Sequence, residues 1–217
     1  SNMGCYGYDR PTTPNIDKLA KESVVFDNFF STANATDPCV TSIFTGRYPW
    51  NNGIISHGIN MDNPQVKDFM RRKNPWLPKI LNDSGYATAS LDWLGRWHRE
   101  GFDYYMGMDP YNNRLIKVIR TIKNLRRRVF YENGEFITTK AIEFMAKNKE
   151  RPFFMFMHFW DTHTPYNPPK KFVDKFKNVK YTHRTFLDVP KTIHEDWIHH
   201  LGIKDLNELF ARYDASI

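Results

Sequence analysis

A threonine hydroxyl stands at the expected start of a helix, where Thr36 directly precedes Asp37 and Pro38. Proline is favoured in the first turn of a helix, and the first amide groups of a helix lack partners within it. Those amides and the helix dipole favour an anion, so an oxyanion could be held against the Thr36 hydroxyl. A threonine hydroxyl is a poor nucleophile at neutral pH and needs a metal or a base to activate it. From the local pattern alone, a simple helix cap formed by Thr36 or Asp37 is the commoner arrangement.

A histidine, His163, lies in a proline-rich loop directly after the apolar run at 152–157. The continuous apolar character of that run predicts a strand buried on both faces. A histidine that follows such a strand can donate a hydrogen bond to a substrate oxygen. The simpler alternative is a loop histidine bonded to a backbone carbonyl.

Helical and strand patterns alternate along the chain, and these elements must position both candidate residues. Helices are expected at 13–20, 37–46, 75–82, 115–129 and 137–148, and strands at 24–26, 86–91 and 152–157. This alternation predicts an α/β fold with a mostly parallel sheet flanked by helices. In such a sheet, ligands collect at the carboxyl ends of the strands, where the Asp37 turn and the His163 loop would both lie.

The composition is that of a globular chain with a positive net charge. The chain has 217 residues, of which 41% are hydrophobic and 16% aromatic, which argues against disorder and favours one domain. The formal net charge of +7 fits an anionic ligand, nucleic acid or an acidic membrane surface. The basic residues of the expected helix at 115–129 are interpreted as a solvated helix face, and nucleic-acid binding is the minority alternative.

Cysteine content and hydropathy bear on the compartment. Cys5 and Cys39 are too few for a disulfide framework, and Cys39 is interpreted as a buried small residue. The sequence has no run of about 18 apolar residues and no charged-then-apolar leader, so no membrane segment is expected. For the chain as given, these features favour a cytoplasmic location.

Several sequence blocks follow one another along the chain, including Thr-Gly-Arg-Tyr-Pro at 45–49, Gly-Arg-Trp-His at 95–98 and Asp-Thr-His-Thr-Pro-Tyr at 161–166. In order and spacing these blocks resemble the sulfatase family of the alkaline-phosphatase superfamily. The resemblance implies an alkaline-phosphatase/sulfatase-like α/β fold and a metal-dependent hydrolase of sulfate or phosphate esters. Its partner would be an anionic ester substrate, and no nucleic acid is implied.

The resemblance puts Thr36 at the nucleophile position, nine residues before Thr45. Typical sulfatases carry there a cysteine or serine, followed by x-Pro-Ser-Arg, that is converted to formylglycine. Here Thr36 replaces the convertible residue and Val40 replaces the arginine, while Pro38 matches the proline. A threonine resembles the phosphatase, phosphodiesterase and phosphoethanolamine-transferase branches, in which the hydroxyl binds metal and attacks phosphorus. The choice between sulfate and phosphate therefore stays open.

Three further residues are assigned by the same resemblance. Arg96 and His98 match a Lys-x-His pair that contacts the transferred group, and they are the expected substrate-binding residues. Their separation from Tyr86 is three residues longer than usual, and a surface position is the alternative for His98. His163 matches the family histidine that donates a hydrogen bond to a substrate oxygen, so it is expected to act with Thr36 in catalysis.

The metal site of the family is only partly represented. It takes an Asp-Asp pair, the nucleophile and a later Asp-His or Asp-Asn pair, of which Thr36 is the sole match, and no Asp-Asp pair occurs in the sequence. Hard cations need several carboxylate oxygens, so this chain by itself is expected to bind no metal. The complete enzyme is expected to use Ca²⁺, Mg²⁺ or Zn²⁺.

Residues 1–217 are therefore interpreted as a partial sulfatase-type catalytic domain that lacks the first metal-binding strand and the C-terminal part. Such a fragment is expected to be inactive alone. Its exposed sheet edges are expected to allow copies of the chain to pair as a homo-oligomer. The alternative function is a non-catalytic anion-binding or interaction module derived from the same fold.

Overall fold

The computed structural model describes residues 2–106, 134–164, 166–177, 203 and 206–217. The expected basic helix at 115–129 lies outside these residues. The chain divides into two compact units, which are Phe30–Phe159 and the combination of Ser1–Phe29 with Trp160–Ile217.

Most of the predicted helices and strands are present, but among the described residues five α-helices precede the first strand, so the predicted alternation holds only from residue 77 onward. The helices are α1 (Pro14–Ala20), α2 (Thr36–Thr45), α3 (Pro49–Asn52), α4 (Pro64–Arg71), α5 (Leu77–Asp83), α6 (Gly134–Lys147), α7 (Lys170–Phe176) and α8 (Leu206–Ser216). Short 3-10 helices occur at Gly4–Tyr6 and Arg96–Arg99. The strands are β1 (Ala87–Leu91), β2 (Tyr104–Met106) and β3 (Phe153–Met157). The expected helices at 13–20, 37–46, 75–82 and 137–148 correspond to α1, α2, α5 and α6.

A parallel sheet with strand order β2-β1-β3 forms the centre of the Phe30–Phe159 unit. Ala89 on β1 pairs with Tyr104 on β2, and Ala87 pairs with Phe153 on β3. Every residue of β1 is buried, as expected for a central strand with a neighbour on each side. Helices flanking a parallel sheet are the predicted fold class, which is confirmed.

The expectation that β3 is buried on both faces is wrong. Phe153 is 39% exposed and the other residues of β3 are half-buried. Within the described residues β3 pairs with β1 alone, so it is an edge strand with one side uncovered. An apolar run therefore predicted the strand correctly but not its position in the sheet.

An aromatic cluster packs α2 against the sheet. The Phe44 ring on α2 is buried, and its centroid lies 5.1 Å from that of Trp76 and 5.0 Å from that of Phe156 on β3. Edge-to-face contacts of this kind add to the stability gained from burial. Gly46 ends α2 in the left-handed conformation, and its amide donates to the Ser42 carbonyl, as the sequence predicts. Helix α2 is thus fixed at its C-terminal half by packing.

The unit of Ser1–Phe29 and Trp160–Ile217 has α7 packed against α8. The predicted strand at 24–26 is wrong: no strand is assigned there, and Val24 and Phe26 are 81% and 63% exposed. The β-branched and aromatic composition favours a strand, but a strand also needs a neighbour to pair with, and none of the described residues pairs with this segment.

A buried carboxylate joins the first residues of this unit to α8. Asp214 accepts hydrogen bonds from Asn2 Nδ2 at 2.8 Å, Tyr8 Oη at 2.7 Å and Arg10 Nη1 at 2.9 Å. Charged and neutral donors together compensate the loss of hydration at Asp214.

Among the described helices, none has both the length and the apolar character that crossing a bilayer requires.

Candidate functional site

Thr36 is the first residue of α2, and its side chain is half-buried. Ala35 occupies the N-cap position in an extended conformation, and no side chain caps the helix. The simpler expectation, that Thr36 or Asp37 is a helix cap, is therefore wrong. Within the described part of the chain, no hydrogen bond engages the Thr36 hydroxyl. Among the described residues, the hydroxyl at the start of α2 is thus available to another partner.

The amide groups in the first turn of α2 are less available than the sequence suggests. The Asp37 amide donates to His57 Nδ1 at 3.3 Å, and the Cys39 amide donates to the Ala35 carbonyl at 3.2 Å. Pro38 has no amide hydrogen. The amide of Thr36 itself has no partner among the described residues. Any anion at this end of α2 would thus find fewer amide donors than a regular helix start presents.

Asp37 is fully buried, and its carboxylate is held on several sides. Its oxygens accept from Arg96 Nη1 at 2.8 Å, from Arg96 Nη2 at 2.6 Å and from the Gly58 amide at 2.8 Å. Burial alone raises the pKa of the carboxyl, but the hydrogen bond and charge of Arg96 outweigh it and hold the pKa below its ordinary value. Asp37 therefore stays ionised, one residue away from the candidate nucleophile.

Arg96 reaches Asp37 from the loop that follows β1. Its Nε donates to the Leu94 carbonyl at 2.9 Å, and Nη1 also donates to the Ile59 carbonyl at 2.7 Å. Its side chain is only 1% exposed. The expected substrate contact of Arg96 stays a prediction, and the structure directs its donors to Asp37 and to backbone carbonyls.

A second buried carboxylate shapes the Arg96 loop. Asp92 accepts from the Leu94 amide at 2.6 Å and from the Tyr105 hydroxyl at 2.6 Å, and Tyr105 in turn accepts from the Gly95 amide. Arg96 itself has φ +52°, which is unusual for a residue other than glycine. The Asp92 contacts thus hold a loop in which Arg96 takes a strained conformation.

His98 is fully buried, so the alternative of a surface position is wrong. Its Nε2 lies 3.3 Å from the Thr41 hydroxyl of α2, and that hydroxyl accepts from Trp97 Nε1 at 3.0 Å. Within the described residues, His98 Nδ1 has no hydrogen-bond partner. Burial, with the positive charge of Arg96, lowers the pKa of His98 to about 3 although the Asp37 carboxylate opposes the shift. His98 is therefore a neutral imidazole at neutral pH.

His163 lies in the unit of Ser1–Phe29 and Trp160–Ile217, whereas Thr36 lies in the other unit. Its exposed ring places Nδ1 at 2.7 Å from the Thr164 carbonyl, and its centroid is 4.8 Å from that of Trp160. A carbonyl only accepts, so Nδ1 carries the hydrogen and Nε2 is the nitrogen left for another partner. The expected joint action of His163 with Thr36 stays a prediction.

The structure adds two residues that sequence reasoning did not assign to the site, Asp37 and His57. The sequence pattern alone predicts a helix cap at most for Asp37. The available signal is a carboxylate beside the candidate nucleophile in a helix that has no other charged residue, since such a carboxylate needs a partner when it is buried. No local signal marked His57, because its contact with Asp37 spans twenty residues of loop and helix.

The described residues do not fit a metal centre. No group of three or more His, Cys, Asp or Glu side chains among them is arranged to hold an ion. The Asp37 oxygens are directed at Arg96 and Gly58 instead.

Cys39 is half-buried rather than buried, which corrects the sequence-based interpretation, and its thiol donates to the Ala33 carbonyl at 2.9 Å.

Comparison with known proteins gives a consistent set of relatives. The sequence model of the Sulfatase family matches residues 1–217. N-acetylgalactosamine-6-sulfatase of Homo sapiens is 27% identical over 215 residues, which cover 83% of this chain and 40% of that protein. N-acetylglucosamine-6-O-sulfatase of Bacteroides thetaiotaomicron is 27% identical over 192 residues, which cover 82% of this chain and 31% of that protein. The chain thus spans about two fifths or less of the length of these curated relatives.

Two solved structures share the fold. The putative sulfatase yidJ from Bacteroides fragilis aligns with a TM-score of 0.59 at 18% identity. That alignment covers 100% of this chain and 54% of the yidJ chain. The C-terminal periplasmic domain of EcEptC from Escherichia coli, in complex with Zn, aligns with a TM-score of 0.57 at 18% identity. That alignment covers 99% of this chain and 51% of the EcEptC domain. At this identity the likeness supports the fold alone.

Proposed function

Because the chain belongs to the sulfatase family, we propose that it forms part of a hydrolase of sulfate or phosphate esters in which the Thr36 hydroxyl attacks the sulfur or phosphorus atom. The bond from that atom to the ester oxygen breaks, the alcohol leaves with the proton that Thr36 loses, and water then releases sulfate or phosphate from Thr36. The observation that carries the proposal is the placement of Thr36. Its half-buried hydroxyl opens α2 without a hydrogen-bond partner among the described residues, next to a carboxylate that is held rigidly. A hydroxyl kept free at a fixed position is suited to attack rather than to capping.

The identity of residue 36 bears on the class of ester. Threonine has a methyl group where serine or cysteine has a hydrogen, so it cannot give the aldehyde on which formylglycine chemistry depends. Direct attack by the hydroxyl is the remaining route, and it is as suitable for phosphorus as for sulfur. The curated relatives are named as sulfatases of N-acetyl amino sugars, which favours testing sulfate esters beside phosphate esters.

The proposal gives supporting roles to the other assigned residues. His98 is neutral and buried beside α2. It would orient the site through the contact of its Nε2 with Thr41 and through its Nδ1. His163 would donate from Nε2, in its protonated form, to a substrate oxygen, and this role rests on the family resemblance and on the bond that fixes Nδ1. A divalent cation, Ca²⁺, Mg²⁺ or Zn²⁺, is part of the proposal for the full-length enzyme, since the EcEptC domain was crystallised with Zn.

The test is hydrolysis of p-nitrophenyl sulfate and p-nitrophenyl phosphate by the full-length enzyme, with and without added divalent cations, because residues 1–217 alone are expected to be inactive. Thr36→Ala is expected to reduce kcat by a factor of about 10³ or more, and Thr36→Ser is expected to keep part of the activity. Thr139→Ala, which alters an exposed threonine of α6, is the matched control and should have no effect.

Two outcomes would decide against the proposal. Turnover that survives Thr36→Ala would exclude Thr36 as the attacking group. No turnover under any condition, combined with tight binding of inorganic phosphate or sulfate to the metal-free protein, would instead support the non-catalytic anion-binding module.

A further inference from the structure

We propose that Arg96 is a positioning residue, which acts on the reaction by holding Asp37 and thereby the first turn of α2, and does not bind the substrate itself. The inference rests on the proposed function of Thr36 for its kinetic consequences. Its structural part, the restraint on α2, stands on the geometry of the Asp37–Arg96 pair alone.

The Asp37–Arg96 pair is enclosed by protein. The side chains of Asp37 and Arg96 are 0% and 1% exposed, and two donor–acceptor contacts of 2.6 and 2.8 Å join them. A guanidinium that solvent cannot reach is also closed to a substrate anion. Burying two charges is costly in free energy, so a pair of this kind is better explained by a need for one defined geometry than by stability.

The Asp37–Arg96 pair joins three segments of the chain. Asp37 also accepts from the Gly58 amide, while Arg96 donates to the carbonyls of Ile59 and Leu94. The first turn of α2, the loop at 57–59 and the loop after β1 therefore meet at two side chains. Because Thr36 is covalently next to Asp37, a displacement of the first turn of α2 that moves the carboxylate also moves the hydroxyl.

The backbone of Arg96 is strained. Its φ of +52° disfavours a side chain by about 1–2 kcal/mol relative to a right-handed conformation. The Asp92 contacts that hold this loop are themselves buried. Strain that buried contacts maintain is typical of places where a side chain must be directed at one target. Here the target is Asp37.

The experiment is a double-mutant cycle with Arg96→Lys and Asp37→Asn in the full protein, assayed on the p-nitrophenyl ester that the enzyme hydrolyses. Each single variant is expected to reduce kcat by about 10- to 100-fold, since a displacement of about 1 Å is enough for such a loss. KM and the inhibition constant of inorganic phosphate should change by less than about threefold. The double variant should resemble either single one, because both changes remove the same restraint.

A surface pair provides the matched control. Arg71 and Asp68 on α4 form a close ion pair in which Arg71 is 81% exposed, so Arg71→Lys and Asp68→Asn test a charge pair without burial. These variants should leave kcat unchanged. Losses at Arg96 and Asp37 that multiply in the double variant, or a tenfold rise of KM and of the phosphate inhibition constant in Arg96→Lys, would overturn the proposal in favour of direct substrate contact.

A readout without substrate separates this inference from the proposed function. The Gly58 amide is bonded to Asp37 Oδ2, so its hydrogen exchange should accelerate at least tenfold in Arg96→Lys, whereas amides of β1 should be unaffected. Unchanged Gly58 exchange in a folded Arg96→Lys protein would overturn the restraint even if the enzyme is active. If the protein hydrolyses no ester, the exchange of the Gly58 amide still decides whether Arg96 restrains Asp37. Thermal unfolding checks that each variant folds.

Discussion

His98 Nε2 lies 3.3 Å from the Thr41 hydroxyl of α2, and the imidazole is fully enclosed, with its ring centroid 4.5 Å from that of Trp97. This contact ties the short helix at Arg96–Arg99 to the middle of α2. It also places a titratable ring where charge is strongly disfavoured, so the stability of the protein should respond to mild acid.

The acid response follows from the two pKa values of His98. In the unfolded chain the imidazole takes up a proton near the ordinary value of about 6.5, but in the folded protein only near about 3. Between these values the unfolded state binds more protons, so stability is lost as pH falls, by at most ~1.4 kcal/mol per pH unit. Urea unfolding at pH 7, 6 and 5 should show a loss that His98→Gln reduces. An identical slope in the wild type and His98→Gln would contradict this prediction.

Local features of the site could be predicted from the sequence, whereas the long-range contacts of Asp37 and His98 could not. The helix-start pattern located the beginning of α2 to within one residue, because it is a local signal. The assignment of Thr36 as the nucleophile, from its spacing to Thr45, stays a prediction. The ion pair of Asp37 with Arg96 joins residues 59 positions apart, and nothing in either neighbourhood specifies the partner. Burial of His98 is likewise set by the packing of Trp97 and Thr41, which no periodicity encodes.

The same distinction explains the errors in the sheet. The segment at 86–91 alternates like a strand and is one, because β2 and β3 pair with it on both sides. The segment at 24–26 has an equally favourable composition but no pairing partner among the described residues. A strand forms only where another strand pairs with it, and the pairing partner is known only once the fold is known. Propensity therefore predicts candidate strands.

Removal of the Asp37 carboxylate should destabilise the protein strongly. Asp37→Ala leaves the Arg96 guanidinium buried without its counter-charge, which is expected to lower the free energy of unfolding by about 3–5 kcal/mol. Asp68→Ala breaks surface ion pairs with Arg71 and Arg72 that water replaces, and it should leave stability nearly unchanged. Urea unfolding of both variants at pH 7 measures the difference. Equal stability of the two would show that the buried pair is not held as described.

Alkaline pH should weaken the unit that contains Asp214. Burial, with the hydrogen bond to Asp214, raises the pKa of Tyr8 to about 12 from an ordinary value near 10. The stabilising bond is therefore fully present below pH 10 and is lost as pH rises through about 12. Tyr8→Phe should reduce stability at pH 8 by about 0.5–1.5 kcal/mol and flatten the decline between pH 10 and 12. Thermal unfolding across that range would contradict the prediction if both proteins declined equally.

Two glycines with similar backbone angles should tolerate alanine differently. Gly85 and Gly101 have φ of +86° and +77°, but a Cβ on Gly101 would lie 2.5 Å from the backbone nitrogen of Lys79, whereas one on Gly85 would meet nothing within 4 Å. Gly85→Ala should lower stability by about 1–2 kcal/mol through backbone strain alone. Gly101→Ala should lower it by a further ~1–3 kcal/mol because the backbone of α5 must move. Urea unfolding of the two variants compares them directly, and equal losses would contradict the close approach.

Replacement of Thr36 should leave the fold intact, in contrast to replacement of Thr45 in the same helix. The Thr36 hydroxyl has no hydrogen-bond partner in the described part of the chain, so Thr36→Ala should change the free energy of unfolding by no more than about 0.5 kcal/mol. The buried Thr45 hydroxyl donates to the Thr41 carbonyl at 2.7 Å and accepts from the Arg47 amide, so Thr45→Ala should lower it by about 1–2 kcal/mol. Urea unfolding of both variants at pH 7 provides the comparison. A large loss in Thr36→Ala would mean that Thr36 has a structural role, and any loss of activity in that variant could then no longer be assigned to chemistry.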